Sequence, residues 1–251
     1  MPALRLSPGE RLLDIGCGWG ALMAHAVQNY GVTAHGVTLS ARQAEFCTAK
    51  FERLGIAGEA QVELRDYRAL RGGPVFDKIA QIEMFEHLGL DNHDRHFQTI
   101  HALLRPRGLY LHQASVRRAT PDLRDFRKTT PYMKFIHRHI FPGGDLDHIG
   151  MTLTNLERHG FEVHDVEGWR EHFQKTCAIW SRRLHARRDE AAALIGPVRT
   201  RLWILYLVLA AASFERCTLG VFQTLASKRR VGASGMPLTR RDLYAPRESA
   251  R

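Results

Sequence analysis

An apolar run followed at once by glycines at every second position constrains the fold of this chain more than any other stretch. The run is "LLDIGCGWGA", from Leu12 to Ala21. Its apolar start is typical of a buried strand, and glycines after a strand let the backbone turn tightly and approach a ligand closely. The segment therefore predicts a strand, a nucleotide-binding loop and a helix, in that order.

Strand and helix signals alternate through the first half of the chain. Apolar runs predict strands at "RLLDIG", "VTAHGVTL", "AQVELRD", "FDKIAQIEM" and "LYLHQAS". Helices are predicted between them, one opened by a capping box of Ser40 and Gln43 and another running from Asp91 to Leu104. This alternation predicts an α/β fold with a doubly wound parallel sheet, whose ligands lie beyond the carboxyl ends of the strands.

The pattern changes after Ser115. Residues 116–150 are rich in Arg, His, Pro and Gly without a clean period, which we interpret as an inserted lid or substrate segment. Two helices over about 170–190 and 192–214 and a last strand at "TLGVFQTLAS" complete the prediction. We expect one domain over residues 1–226 and a basic, flexible tail over residues 227–251, with a docked arm as the alternative for the tail.

Charge and cysteine content narrow the class of protein without deciding its function. The net charge of +10 favours polyanionic partners: nucleic acid, anionic lipid surfaces or acidic metabolites. The four cysteines lie far apart with no CxxC pair, which predicts reduced thiols, no structural zinc and a cytoplasmic location. The chain starts without the apolar run of a signal peptide. Its longest apolar stretch, Trp203 to Ala212, is shorter than the roughly 20 residues of a spanning helix.

The glycine loop fits two nucleotide-binding patterns. Gly16, Gly18 and Ala21 satisfy the G-x-G-x-x-A fingerprint of dinucleotide sites, but that pattern expects an acid at the end of the second strand, which here ends "GVTLS". The additional Gly20 and the preceding Asp14 fit the D-x-G-x-G-x-G loop of S-adenosylmethionine methyltransferases better. We therefore predict S-adenosylmethionine as the cofactor, and a plain core turn is the alternative.

Longer segments make this prediction specific. "LLDIGCGWGALMAHAVQNYGVTAHGVTLSARQ", "RDYRAL", "FDKIAQIEMFEHLG" and "HIFPGGDL" together resemble the cyclopropane fatty acid synthase family, which includes the mycolic acid cyclopropane synthases. The resemblance covers roughly residues 8 to 225. It implies a Rossmann-like methyltransferase fold and methyl transfer from S-adenosylmethionine to the double bond of an unsaturated fatty acyl chain in a phospholipid. A cyclopropane or a methyl-branched chain would be the product.

The resemblance also implies roles for single residues. Those expected to bind S-adenosylmethionine are Asp14, Gly16, Gly18, Gly20, Thr38, Leu39, Ser40, Gln43, Asp66 and Tyr67. Glu86 and His112 are the expected catalytic residues, because they match a glutamate and a histidine that hold a bicarbonate ion as the base in this family. Three positions nearby depart from the family: Phe173 replaces a tyrosine, Ala114 an isoleucine and Ala210 a cysteine. No metal site is expected.

Within this resemblance the chain is expected to work at a membrane. The cations of the predicted lid suit phospholipid head groups, which predicts peripheral contact with the anionic inner membrane face. They are Arg117, Arg118, Arg124, Arg127, Lys128, Lys134 and Arg138. The helix around "WILYLVLAAASF" is expected to pack in the core and to line an acyl tunnel. The family segment before the glycine loop is expected to be absent or supplied by a partner, which leaves a homo-oligomer or a partner subunit open.

Two other function classes stay open. A degenerate homologue would bind S-adenosylmethionine or lipid without turnover, as a subunit, and the three departures motivate this hypothesis. A nucleic-acid methyltransferase is favoured by the net charge alone. The chain has no NPPY-like base-amine motif and no basic–aromatic stacking array, so we expect no nucleic-acid partner.

Overall fold

The computed structural model describes residues 2–73 and 75–244, and its centre is a seven-stranded sheet. The strands are β1 Arg11–Ile15, β2 Thr33–Thr38, β3 Ala60–Leu64, β4 Phe76–Ile82, β5 Leu104–Arg117, β6 Phe161–Gly168 and β7 Leu219–Lys228. They follow the order β3-β2-β1-β4-β5-β7-β6 across the sheet. β1 to β5 are parallel, whereas β7 runs antiparallel to both β5 and β6. The predicted doubly wound α/β fold is confirmed, with β7 as an antiparallel addition.

Helices cover both faces of this sheet. The α-helices of the described residues are α1 Ala21–Tyr30, α2 Ala41–Arg53, α3 His93–Leu103, α4 Leu123–Phe126, α5 Pro131–His139, α6 Ile149–Arg158, α7 Arg170–Ala186, α8 Arg188–Ile195, α9 Pro197–Glu215 and α10 Arg241–Tyr244. Short 3-10 helices occupy Pro2–Leu4, Tyr67–Ala69, Phe85–His87 and Leu90–Asn92. The predicted helix from Asp91 to Leu104 is therefore a 3-10 turn followed by α3.

The strand residues alternate between two cores, one on each side of the sheet. Leu12 in β1 belongs to a core with Met23 of α1 and Phe51 of α2, whereas Leu13 belongs to a core with Phe97 of α3. Successive side chains of a strand point to opposite faces, so a strand covered on both faces is apolar throughout. This explains the continuous apolar runs of the sequence, and it places the carboxyl ends of β1 to β5 at one edge where a site can form.

The predicted lid contains regular structure that its sequence pattern did not indicate. Residues 116–150 include the end of β5, all of α4 and α5, and the first residues of α6. The side chain of Thr130 caps α5 by accepting from the Met133 N–H, and Pro131 opens the helix. None of the α5 side chains is fully buried. Its apolar residues do lie on one side of the helix, but the helix has only 9 residues, too few for a repeating period to stand out in the sequence.

Three helices take the place of the two predicted after residue 170. Arg187 separates α7 from α8, and Gly196, with a φ of 85°, separates α8 from α9. α9 is 19 residues long, and within the described residues it is the one helix long and apolar enough to cross a membrane. The expectation that the apolar stretch is too short was thus wrong. Ala210 and Phe214 of α9 nevertheless pack with Cys177 of α7, which places the helix on the domain.

The segment after β7 contacts the domain over part of its length. Met236 packs against the core that contains Leu12. Arg240 lies 3.1 Å from Asp165 of β6, and Arg5 lies 2.8 Å from Asp242 of α10. These contacts are those of a docked arm, the alternative that the sequence left second to a free tail. The rest of the predicted tail, residues 245–251, lies outside the described residues.

Candidate active site

The glycine loop after β1 leaves open space at one of its three glycines. Gly16, Gly18 and Gly20 all have positive φ, of 74°, 54° and 66°. A Cβ on Gly16 would lie 2.9 Å from Met84 Cγ, and one on Gly20 would lie 2.8 Å from Phe51 Cζ, so packing as well as φ requires both glycines. A Cβ on Gly18 would meet nothing within 4 Å. This space is where a ligand can approach the loop.

One hydrogen-bond network joins the polar residues at the carboxyl end of β2. Thr38 Oγ1 donates to Gln43 Oε1 over 2.7 Å and accepts from the Ser40 N–H over 3.2 Å. Ser40 Oγ accepts from the Gln43 N–H over 3.3 Å, so Ser40 is the N-cap of α2. The side chain of Gln43 bonds to Thr38 and not to the Ser40 N–H, which a capping box would use. Leu39 is 77% exposed beside this network.

The remaining predicted cofactor residues differ in how they are held. The carboxylate of Asp66 accepts from the Arg68 side chain and backbone N–H, which lowers the pKa of Asp66 below its usual range. Tyr67 is buried, with its hydroxyl 3.0 Å from His96 Nδ1. Asp14 is buried within β1, and desolvation raises its pKa to about 7. The structure brings all ten residues to one edge, because β1, β2 and β3 are neighbours.

The donor set at this edge fits S-adenosylmethionine. The space above Gly18 admits a ligand, and the Asp66 carboxylate after β3 is an acceptor for ribose or adenine donors. Trp19, Leu39 and Phe46 add exposed apolar surface for a flat base, with the rings of Trp19 and Phe46 edge to face at 5.1 Å. A metal is not indicated, because no group of three or more His, Cys, Asp or Glu side chains in the described residues could hold one.

A second cavity, of about 440 Å³, lies beside the carboxyl ends of β4 and β5. Its apolar wall comes from the predicted lid and from α9, and includes Met133, Ile136, Phe141, Tyr206, Ala210 and Phe214. Glu83, Glu86 and Ser115 form a polar part of its wall. The cavity thus combines an apolar volume with two acids at strand ends, an arrangement common in ligand sites.

Glu86 is held at this cavity by the turn after β4. It lies in the 3-10 helix Phe85–His87, and its Oε1 accepts from the Ser115 N–H of β5. Its Oε2 is buried, and no donor in the described residues reaches it. Burial raises the pKa of Glu86 well above its usual range, and the neighbouring Glu83 raises it further. Glu86 therefore lies just beyond the carboxyl end of β4, on the wall of the cavity.

His112 lies in the core beneath this cavity and not on its wall. Its ring packs edge to face on Phe85 at 4.6 Å, and its Nδ1 lies 3.1 Å from the Tyr110 hydroxyl. Tyr110 in turn is 3.0 Å from His96, which bonds to Tyr67. Burial lowers the pKa of His112 to about 3, so the ring is neutral. No hydrogen bond or ion pair joins His112 to Glu86 in the described residues, contrary to the prediction that both strand ends reach one cleft.

Sequence reasoning missed two features of the site. Glu83 ends β4 beside Glu86, but in the sequence it resembles an ordinary polar position of a strand. The buried chain of Tyr67, His96, Tyr110 and His112 connects the cofactor edge with the residue behind the second cavity. The sequence signal for this buried chain was His96, which lies on the apolar side of a predicted helix. A buried polar ring there is unfavourable without hydrogen-bond partners, so its presence indicates that partners exist.

The residues around Glu86 do not fit a bound bicarbonate. Phe173 and Ala210 offer neither hydroxyl nor thiol, and His112 is not on the cavity wall. No cation in the described residues lies close enough to lower the pKa of Glu86. Arg117 and Arg118 line the cavity, but Arg117 pairs with Asp145 and neither arginine bonds to Glu83 or Glu86 in the described residues. An anion at Glu86 would therefore face two carboxyl groups with no cation bonded to them, which is unfavourable in a partly dry cavity.

The comparisons with known proteins place this geometry in one family. A sequence profile described as mycolic acid cyclopropane synthetase matches residues 1–224. The chain belongs to this family. It is 35% identical over 96% of its length to a Pseudomonas putida protein named "Probable fatty acid methyltransferase", covering 61% of that protein. It is 32% identical over 90% of its length to the cyclopropane-fatty-acyl-phospholipid synthase of Escherichia coli, covering 55% of it. The chain thus spans little more than half the length of these curated relatives.

A solved member of the family has the same fold. Mycolic acid cyclopropane synthase CmaA1, complexed with SAH and CTAB, superposes with a TM-score of 0.82 at 32% identity. The match covers 90% of this chain and 80% of that chain. The family predicted from the motifs is therefore confirmed, together with its Rossmann-like methyltransferase fold.

Proposed function

We propose that this chain is an S-adenosylmethionine-dependent C-methyltransferase that adds a methyl or methylene group to the double bond of an unsaturated fatty acyl chain in a phospholipid. The observation that carries the proposal is the apolar cavity beside the carboxyl ends of β4 and β5, with the half-buried Glu83 and Glu86 on its wall, within the fold of this family. An acyl chain fits such a volume, and acids beside it suit a reaction that develops positive charge.

The cofactor edge binds S-adenosylmethionine in this proposal. When bound, S-adenosylmethionine supplies a methyl group whose C–S bond breaks as the alkene electron pair forms the new C–C bond, leaving positive charge on the neighbouring alkene carbon. Gly18 admits the cofactor close to the backbone, and Asp66 accepts from its hydroxyl or amino groups. The network of Thr38, Ser40 and Gln43 keeps the start of α2 fixed beside it. Asp14 supports the loop from within β1.

The second cavity holds the acyl chain and excludes water from the cation. Tyr206 and Phe141 are 5.6 Å apart, with edge-to-face rings, on its wall. Aromatic faces and the Glu86 carboxyl group stabilise positive charge on the acyl chain without forming a covalent bond to it. Phe85 separates His112 from this charge, so His112 positions the turn that carries Glu86 and is not itself a proton acceptor.

Membrane contact belongs to the same proposal, and the exposed cations of the lid support it. Arg117 lies 3.8 Å over the Phe126 ring and pairs with Asp145, so it stabilises the lid from inside. Arg118, Arg124, Lys134 and Arg138 are exposed and form no ion pair with the described residues. Exposed Trp203, Leu205 and Val208 of α9 add apolar surface for the interface.

A lipid assay tests this function. The purified chain is incubated with S-adenosylmethionine and vesicles of monounsaturated phosphatidylglycerol, and lipids are analysed by mass spectrometry. We expect acyl chains with one added carbon, and none with saturated vesicles. Binding of S-adenosylmethionine without any altered chain would contradict the proposal and favour a non-catalytic homologue. Cosedimentation with anionic but not neutral vesicles, weakened by replacing Arg118, Arg124, Lys134 and Arg138 with Gln, would support the membrane contact.

A further inference from the structure

Two carboxyl groups meet on one residue of β5. Ser115 donates its backbone N–H to Glu86 and its hydroxyl to Glu83 over 2.9 Å. The Gln113 amide also donates to Glu83 over 3.3 Å, and it is held in turn by Gln223 of β7 at 2.9 Å. Both acids are thus positioned by β5, on the wall of the cavity proposed for the acyl chain.

The unpartnered oxygen of Glu86 points to a proton between the two acids. Glu86 Oε2 is buried without a donor among the described residues, and both carboxyl groups bond to Ser115, Glu86 through its backbone N–H and Glu83 through its hydroxyl. Two ionised carboxylates cannot bond to each other, whereas a carboxyl and a carboxylate can share one proton. A shared proton would give the buried Glu86 Oε2 a hydrogen-bond partner. Desolvation of Glu86 also favours its protonated form.

The backbone conformation of Glu83 indicates that the contact of both acids with Ser115 is maintained against strain. Glu83 has a φ of 54°, in the left-handed region where residues other than glycine, asparagine and aspartate are rare. Such conformations are unfavourable for a glutamate and are concentrated at functional sites. The β4 strand would continue more easily with an extended residue here. The strained turn instead brings Glu83 and Glu86 to the same side of Ser115.

We propose that Glu83 and Glu86 share a single proton and together act as the proton acceptor of the methylation, in place of a bicarbonate ion. This inference rests on the proposed function. It assigns a role to Glu83, which no motif singled out, and it gives both acids on Ser115 a function.

The proton balance of the step is simple. After the methyl group has been added, a C–H bond breaks at the new methyl carbon or at a carbon next to the cation. Its electron pair closes a cyclopropane ring or forms a double bond in a methyl-branched chain. The proton passes to the Glu83–Glu86 pair, which changes from one shared proton to two. The pair returns one proton to water after the product has left.

The first test combines substitution with removal of bicarbonate. Wild type, Glu83→Gln and Glu83→Gly are assayed on unsaturated vesicles in buffer depleted of bicarbonate, and S-adenosylmethionine binding is measured in parallel. We expect full wild-type activity without bicarbonate and an activity loss of about 100-fold or more in both variants, the range of a missing acid–base group. Glu83→Gly relieves the strained φ, so its loss would not come from misfolding. The exposed Glu59→Gln is the matched control.

Two outcomes of this test would overturn the inference. One is activity within about threefold of wild type in Glu83→Gln, because Glu86 alone would then suffice. The other is a wild-type enzyme that stops when bicarbonate is removed. Unchanged cofactor binding in both variants is expected in either case, because Glu83 is not part of the cofactor edge.

Infrared spectroscopy tests the shared proton independently of activity. At neutral pH we expect a protonated carboxyl band in the difference spectrum between wild type and Glu86→Gln, from which the buried Asp14 and Asp147 cancel. This band should be altered in Glu83→Gly and unchanged in Glu59→Gln. Absence of the band in wild type would refute the pair even if lipid is methylated. Its presence in a chain that methylates no lipid would leave the pair intact and refute the proposed function instead.

Discussion

The cofactor edge and the acyl cavity are built in different ways, although they lie on neighbouring strands. At the cofactor edge, Thr38 bonds to Gln43 and Asp66 to Arg68, each within five residues, and Tyr67 alone among these reaches a distant partner, His96. At the cavity, the wall combines Glu83 after β4, Ser115 of β5 and Ala210 of α9, which are far apart in the chain. The cofactor edge thus depends largely on contacts between residues that are close in sequence, and it serves one cofactor. The acyl cavity is assembled from distant segments, so it can change its chemistry without changing the fold.

The largest expected effect comes from the one glycine that faces open space. Gly18→Val places a branched side chain in the volume above the loop and at a φ of 54°. We expect the dissociation constant of S-adenosylmethionine to rise at least about 100-fold, measured by calorimetry. Because the cofactor edge is local, the free energy of unfolding should fall by only the strain of the new residue, about 1–2 kcal/mol.

Gly55→Val is the matched control for this substitution. Gly55 has a φ of 67°, and a Cβ there would also meet nothing within 4 Å. It lies directly after α2, where an added Cβ would touch no residue of the glycine loop. The control should show the same loss of stability with unchanged binding. Equal affinities in the two variants would show that the space above Gly18 is not the cofactor site.

The local construction of the cofactor edge explains why the sequence predicted it well. Glycines with positive φ, the cap at Ser40 and the apolar runs of β1 and β2 each depend on neighbours in sequence. The cavity depends on contacts that no local pattern encodes. The positive φ of Glu83 and the burial of His112 arise only when β4, β5 and α3 pack together. The N-cap Thr130 and the following Pro131 are sequence signals for the start of α5. They were not recognised as such because no repeating apolar period follows them in this short helix.

The acyl cavity is tested next by filling it. Ala210→Phe on α9 adds a ring at a position of the wall that has room for a chain. We expect lipid methylation to fall about 30-fold, a barrier increase of about 2 kcal/mol, with cofactor affinity unchanged. Val198→Phe, at an exposed position of the same helix outside the proposed membrane surface, should leave both quantities unaltered. A loss of cofactor binding in Ala210→Phe would mean that the two regions are not independent.

Buried acids on the cavity side should also make its stability depend on pH. Asp147 precedes α6 and is 1% exposed, and desolvation raises its pKa to about 7 from 3.8 in a solvated chain. The folded state therefore binds a proton more tightly than the unfolded state, and the free energy of unfolding falls as pH rises through this window. The Asp147→Asn variant has no titratable carboxyl group at this position, so this contribution to the pH dependence of stability is absent from it.

Comparing Asp147→Asn with wild type cancels the opposing effects of the buried histidines. From pH 4 to pH 8 we expect the variant to gain about 4 kcal/mol of stability relative to wild type, because each unit between 3.8 and about 7 corresponds to about 1.4 kcal/mol. Urea unfolding at several pH values measures this difference. A difference that stays constant with pH would show that Asp147 is ionised in the folded protein.

The smallest effect separates two roles of one residue at the cofactor edge. Ser40→Ala removes the oxygen that accepts from the Gln43 N–H, and loss of an N-cap costs about 1 kcal/mol of stability. Ser40→Gly retains most of that stability, because glycine is tolerated as an N-cap. If Ser40 acts only as a cap, cofactor affinity follows stability and the glycine variant binds like wild type. If its hydroxyl also contacts the cofactor, both variants bind several-fold more weakly, and the local network that stabilises α2 is then part of the binding site as well.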